Sequence, residues 1–161
     1  MMQEATLCFL VRGEPPREVL LGLKKTGFGA GKYAGFGGKI ELGETVERAA
    51  VRELAEETGV EAAEARLRRV GHLTFLFPVK PAWNQVVHIF LVAEWDGDPA
   101  ESVEMQPAWF ALEVLPFERM WQDGAHWLPR VLAGQSIRAR FTFEDDNETV
   151  REAQITETVF D

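Results

Sequence analysis

The chain has 161 residues, 46% hydrophobic and 27% charged, which is the balance of a single globular domain (residues 1–161) long enough to bury a core. A formal net charge of −9 argues against a broad phosphate-backbone footprint, so polymeric nucleic acid is not an expected partner, whereas a small polyphosphate carrying its own metal ions is not excluded. The start MMQEATLCFLVRG shows no signal peptide, no stretch approaches bilayer-spanning length, and the lone cysteine, Cys8, allows no internal disulfide, so a reducing cytoplasm and no membrane partner are expected.

Residues 5–11 (ATLCFLV) and 19–24 (VLLGLK) predict two strands of a hairpin, joined by the turn Arg12-Gly13-Glu14-Pro15-Pro16. Cys8 lies inside the first apolar run and reads as a small core hydrophobe, not a nucleophile. Next comes TGFGAGKYAGFGGK, with glycine at 27, 29, 31, 35, 37 and 38, a density that allows close backbone approach to a ligand. It has neither the dinucleotide nor the P-loop spacing. Its place just ahead of an acidic segment marks it as a substrate-lining loop.

That segment, residues 38–60 (GKIELGETVERAAVRELAEETGV), predicts a helix with Thr45 as N-cap and Gly59 at the left-handed C-terminal position. Glu53, Glu56 and Glu57 fall at i, i+3 and i+4, so their carboxylates share one stripe, while Ala50, Val51, Leu54 and Ala55 form the arc expected against a sheet. Three acids at this spacing also describe an ordinary solvated helix face. Like charges so close repel, and Arg52 offsets part of that repulsion. A hard divalent cation such as Mg²⁺ offsets more, because it binds through carboxylates together with substrate phosphates.

Beyond the helix, residues 65–70 and 73–77 predict strand material broken near Gly71-His72, and residues 78–84 a turn. Residues 86–95 predict a long buried strand, 102–107 an acidic loop holding Glu104, and 108–112 a short strand. Residues 116–122 start a turn or helix and 124–133 predict a second helix with Pro129 its weak point; 138–144 and 148–156 form a closing hairpin around Asp145-Asp146-Asn147. The order β-β-loop-α-β-β-β-α-β-β is that of an α+β domain with helices against a mixed sheet.

The spacing Gly38, five residues, Glu44, seven residues, then Arg52-Glu53-Leu54-Ala55-Glu56-Glu57-Thr58-Gly59-Val60 resembles the Nudix box at every fixed position. The resemblance implies the Nudix fold, an α/β/α sandwich with a mixed central sheet, and Mg²⁺-dependent attack of water on a nucleoside diphosphate linked to another group, with Mn²⁺ as a possible substitute. Carried over position by position, it makes Glu56 and Glu57 the principal metal ligands with Glu53 close by and the Gly37 backbone completing the set. Arg52 orients the glutamates, Glu44 steadies the loop–helix junction, and Glu104 supplies an extra ligand or base.

The flanking runs VLLGLKKTGFGAGKYAGFGGKIELGET, VEMQPAWF and LPFERMWQDGAHWLP extend the likeness to the MutT-related, vertebrate-type oxidised purine nucleoside triphosphatases, with extra residues around 14–18. That likeness implies a monomeric enzyme that sanitises the nucleotide pool by converting a purine (deoxy)nucleoside triphosphate to its monophosphate and pyrophosphate. Trp121 and Phe28 match positions lining the base, Asp123 one that reads the purine edge, and Thr6, Lys24, Gly37, Gly38 and Phe75 further pocket positions. Trp127 is expected in the core. Two positions depart: Ala34 stands where the family has an asparagine and Gly124 where it has a second acid. Both changes remove hydrogen-bonding capacity, so a preference for 8-oxoguanine over guanine does not follow from the likeness; Gln85 and His126 are candidate substitutes. Two alternatives remain: the same chemistry on another nucleoside diphosphate derivative, and a Nudix-fold module that senses a nucleotide without cleaving it.

Overall fold

In the computed structural model, which describes residues 2–160, the first apolar run becomes β1 (Gln3–Arg12) and its alternation divides the molecule. Ala5, Phe9 and Val11 face one core and Cys8 and Leu10 the other. The further strands are β2 (Glu18–Lys24), β3 (Tyr33–Ala34), β4 (Leu67–Leu76), β5 (Gln85–Val92), β6 (Met105–Ala111), β7 (Ile137–Phe143) and β8 (Val150–Glu157). They lie in the order β3-β2-β1-β5-β4-β7-β8, with β6 paired to β2. Pairing of β1 with β5 and of β4 with β7 is parallel and the rest antiparallel, so the sheet is mixed.

Helix α1 (Val46–Thr58) packs Ala50 and Leu54 against Cys8, Leu10, Leu20, Phe36 and Phe90 on one face. Helix α2 (Gly124–Leu132) packs Trp127, Leu128, Val131 and Leu132 against Phe9, Val11, Leu21 and Ile89 on the other. The expected α/β/α sandwich is therefore the observed architecture. Cys8 is wholly buried, with its thiol directed at the Ala50 carbonyl and pushed up to about 12 by that burial.

Several elements differ from the sequence reading. The β1–β2 hairpin exists, but only Val11↔Val19 and Arg12↔Glu18 pair. Residues 36–40 take the rest of that edge of β1: the Cys8 N–H donates to Phe36 O at 2.6 Å, Thr6 N–H to Gly38 O at 2.9 Å, and Ile40 N–H to Glu4 O at 3.0 Å. This lacing fixes the end of the glycine-rich loop beneath α1. β4 is one strand, and the break expected at Gly71-His72 is a bulge between Arg69 and Gly71. A Cβ on Gly71 would meet Ile89 Cγ1 at 2.9 Å, so glycine there marks close packing, not a strand end. β6 begins at Met105, earlier than expected, because it pairs β2 as far as Lys24. Pro129 stays within α2, on its exposed side.

Candidate active site

The helix that carries the carboxylates is fixed at both ends. Thr45 Oγ1 accepts the Arg48 N–H at 3.1 Å, and Gly59, at φ 77°, closes the far end with its N–H on the Ala55 carbonyl at 2.9 Å. The buried arc is Ala49, Ala50, Leu54, Glu57 and Thr58; Val51 and Ala55, expected there, are only half-buried. The arc is thus turned toward Glu57, whose carboxylate enters the protein and accepts the Gly37 N–H at 2.8 Å. Glu53 is half-buried and Glu56 exposed, so the three acids run from core edge to solvent and not along one uniformly wet stripe.

Glycine is required where the loop meets this helix. A Cβ on Gly37 would lie 1.7 Å from the Thr6 carbonyl oxygen, and one on Gly38 would lie 2.8 Å from the Glu53 carboxylate. Gly37 thus lets the loop lie directly on β1, and Gly38 lets its backbone approach the Glu53 carboxylate.

Arg52 gathers the box. Its Nε and Nη2 donate to the two Glu44 oxygens at 2.7 and 3.0 Å, its Nη1 to Glu53 Oε1 at 2.8 Å and, more weakly, to Glu56 at 3.4 Å, and Nη2 also to the Lys39 carbonyl at 3.1 Å. The bond from Arg52, with the Glu41 N–H, holds the Glu44 carboxyl down at about 2. Glu44 accordingly steadies the loop–helix junction, as the sequence reading has it. A lysine offers one ammonium to the groups that a planar fork now serves together. Arg52→Lys is expected to reduce kcat/KM about 10- to 100-fold while leaving the ranking of purine bases unchanged, the loss of about 1–3 kcal/mol of charge-assisted bonding. Steady-state kinetics on several bases checks both halves.

Burial pushes the Glu57 carboxyl up to about 8, with the charges of Glu53 and Glu104 adding to the shift and Gly37 N–H and Lys24 opposing it. Glu53 is also raised, first by burial, with Arg52 opposing. Glu104 reaches the site through the loop before β6, where its carbonyl accepts the Lys25 N–H at 2.8 Å and Lys25 Nζ donates to Ser102 O at 2.9 Å and pairs with Glu101.

Among the described residues no three carboxylate, imidazole or thiol groups converge on one point as a ready metal cage. Arg52 holds Glu53, and Glu57 is turned to the Gly37 N–H. The donor set nonetheless fits a hard divalent cation. It consists of oxygens, burial leaves Glu53 and Glu57 poorly solvated as anions, and it borders a backbone that only glycine permits.

From Glu57, Gly37 and Gly38 a cavity of ≈ 230 Å³ leads toward α2. Thr6, Lys24, Phe28, Ala34, Gly37, Gly38, Phe75, Trp121 and Asp123, the residues assigned to substrate from sequence, all line it, as does Gln85. His126 does not; it is exposed beside Phe141. The Thr6 hydroxyl is buried without a partner. Phe28 stacks on Trp121 with centroids 5.1 Å apart, and Lys32 Nζ stands 4.9 Å from the Trp121 ring.

Asp123 is buried and accepts the Trp127 indole N–H at 2.7 Å, and burial pushes its carboxyl up to about 6. Trp127 is the core residue expected, edge-on to Phe9, yet its N–H also sets the angle of the acid. Ala34 and Gly124 contribute no side-chain hydrogen bond to this wall.

Sequence reasoning missed Lys32 and Trp83. Trp83 meets Phe28 edge-on at 4.7 Å from the turn between β4 and β5, and its only signal in the sequence is a large aromatic in a segment read as a turn.

The description "NUDIX domain" matches residues 1–131. The chain is 43% identical over 146 residues to the oxidized purine nucleoside triphosphate hydrolase of Mus musculus, covering 91% of this chain and 92% of that one. It is 43% identical over 143 residues to the protein of the same name from Danio rerio, covering 89% and 90%. Among solved structures, a MutT protein from Bacillus halodurans superposes with a TM-score of 0.78 at 22% identity, over 96% of this chain and 97% of that one, a likeness of fold.

Proposed function

Since the chain belongs to the NUDIX family, we propose that it hydrolyses oxidised or otherwise modified purine (deoxy)nucleoside triphosphates, releasing the monophosphate and pyrophosphate and so clearing damaged precursors from the nucleotide pool. The observation that carries this reading is the continuity of one cavity, with Glu57, Gly37 and Gly38 at one end and Trp121, Phe28 and Asp123 at the other. A phosphate chain and a purine need those two environments side by side. The relatives from mouse and zebrafish bear names for the same activity.

Hydrolases of this family work with divalent metal ions; here the proposed ion is Mg²⁺, with Mn²⁺ able to replace it. Glu53, Glu56, Glu57 and the Gly37 carbonyl would hold it, and when bound it supplies charge to the phosphate oxygens and acidifies water. Arg52 keeps Glu53 and Glu56 aligned on α1. Lys24, close enough for its charge to act on Glu57, faces the phosphates. Water adds at phosphorus, one P–O–P bond breaks, and Glu104, whose charge acts on Glu57, is the proposed acceptor of the proton that the water gives up. Trp121 and Phe28 supply apolar walls to the base, and Asp123 with Gln85 supplies hydrogen bonds to its edge.

Residues 1–161 are read as one domain acting as a monomer on a small nucleotide in the cytoplasm. No helix among the described residues is long and apolar enough to cross a membrane.

The test is a steady-state panel of 8-oxo-dGTP, 2-hydroxy-dATP, O6- and N6-methylated purine triphosphates and the normal dNTPs, with Mg²⁺ present and pyrophosphate measured. Modified purines should be turned over with higher kcat/KM than dCTP or dTTP, and chelation by EDTA should stop release. Turnover of no triphosphate ends the proposal.

A further inference from the structure

Phe28 sits in a stretch where both neighbours are glycines in the left-handed region, Gly27 at φ 75° and Gly29 at φ 83°, and the residue is 49% exposed. Backbone bonds from the Ala30 N–H to Gly27 O at 3.1 Å and from the Lys32 N–H to Gly29 O at 3.0 Å shape the turn but do not fix its ring over the cavity. Two aromatic contacts do: the stack on Trp121, with 20° between planes, and the edge contact with Trp83 at 4.7 Å and 79°. The two partners are not equivalent. Phe28 and Trp121 line the cavity as one stacked pair, and the 5.1 Å between them leaves no room for a third ring, so a purine meets the pair from the cavity side.

Trp83 stands behind Phe28, outside the cavity lining. Its ring lies edge-on to Phe77 at 5.6 Å, Phe77 stacks on Phe143 at 4.6 Å, and Lys80 Nζ covers it at 3.8 Å from the centroid. Its turn is closed by the Trp83 N–H on Lys80 O at 2.9 Å and by Asn84 Oδ1, which accepts the Phe77 N–H at 2.7 Å. The ring of a half-exposed loop residue thus rests against a ring packed on the core.

We propose that Trp83 is a positioning residue of the base site, holding Phe28 against Trp121 at the cavity mouth so that the purine meets a closed aromatic wall. The inference rests on the reading of this cavity as the purine site. Trp83 acts through Phe28 and touches no reacting atom, so its loss shows in KM and not in kcat.

The experiment is a double-mutant cycle on 8-oxo-dGTP or the best purine triphosphate found, with folding followed by circular dichroism. Trp83→Ala is expected to raise KM about three- to tenfold with kcat within twofold, Trp83→Phe to restore most of the loss, and Trp83→Ala to add nothing in a Phe28→Ala background. If Phe28→Ala raises KM while Trp83→Ala and Trp83→Phe do not, Trp83 has no positioning role. An undiminished Trp83→Ala effect in the Phe28→Ala background equally overturns action through Phe28. Phe28→Ala leaving KM unchanged removes the base-site reading itself, and the positioning role with it.

Discussion

Glu57→Gln is expected to lower kcat by about 10³-fold or more while the protein stays folded, a loss of about 4 kcal/mol of transition-state stabilisation. The geometry separates the two effects. Glutamine has nearly the volume of glutamate, and its carbonyl oxygen still accepts the Gly37 N–H that Glu57 holds at 2.8 Å. The lacing of residues 36–40 to β1 is then untouched. What disappears is the capacity to ionise for a bound cation, at the point where burial and the charges of Glu53 and Glu104 otherwise hold the carboxyl neutral up to about 8. The variant's metal-free form should melt no lower than the parent's below about pH 8, since burial already keeps the metal-free Glu57 carboxyl neutral there and glutamine is a neutral group of the same size. Calorimetry of Mg²⁺ binding should show weakened affinity alongside the kinetic defect. Unchanged turnover in Glu57→Gln would remove Glu57 from the chemistry. A collapse of the melting temperature would instead assign it a structural role.

The contrast between Glu57 and its neighbours shows what the sequence conveys and what it withholds. Thr45, Gly59 and the run between them announce α1 with both ends correct, because capping is local chemistry. The i, i+3, i+4 spacing places Glu53, Glu56 and Glu57 near one another, but not their burial, which depends on where the sheet lies relative to the helix. The packing of Ala50 and Leu54 on the sheet turns Glu57 inward and Glu56 outward, and residues 36–40, laced to β1, supply the Gly37 N–H that Glu57 accepts. The same distinction explains β4. A glycine inside an alternating run reads as an interruption until the partner strand shows Ile89 filling the space of its missing side chain.

The pocket residues were legible through resemblance, and all of them line one cavity. Trp83 was not, since its role arises where the turn at 81–83, the loop around Phe28 and the segment before α2 meet, and no periodicity encodes a meeting of three loops. The bond between Asp123 and Trp127 lay closer to hand. They are four residues apart at the start of α2, a spacing that brings helical side chains together.

Asp123→Ala is expected to reduce kcat/KM for guanine-type triphosphates about 100-fold, because a site built to hydrogen-bond an edge suffers most when the bond is deleted. It should also cost about 1–3 kcal/mol of stability by leaving the buried Trp127 N–H unpaired, whereas Asp123→Asn keeps an acceptor for that N–H. The pH profile is the sharper test. Burial lifts this carboxyl from 3.8 to about 6, so it is ionised, and only an acceptor, above that value. The guanine edge presents N–H donors, so its binding is fully supported above about pH 6 and is lost as pH falls through it. An adenine-type edge also presents an acceptor, so the protonated acid serves it better and the adenine-to-guanine ratio should climb on acidification. Stability runs the opposite way to guanine binding: the contribution of the protonated form is complete below 3.8 and is lost as pH rises through about 6. Asp123→Asn should flatten both profiles. Kinetics on 8-oxo-dGTP and dGTP from pH 5 to 8 that are the same in parent and Asp123→Ala would detach Asp123 from the base and leave it as the partner of Trp127 alone.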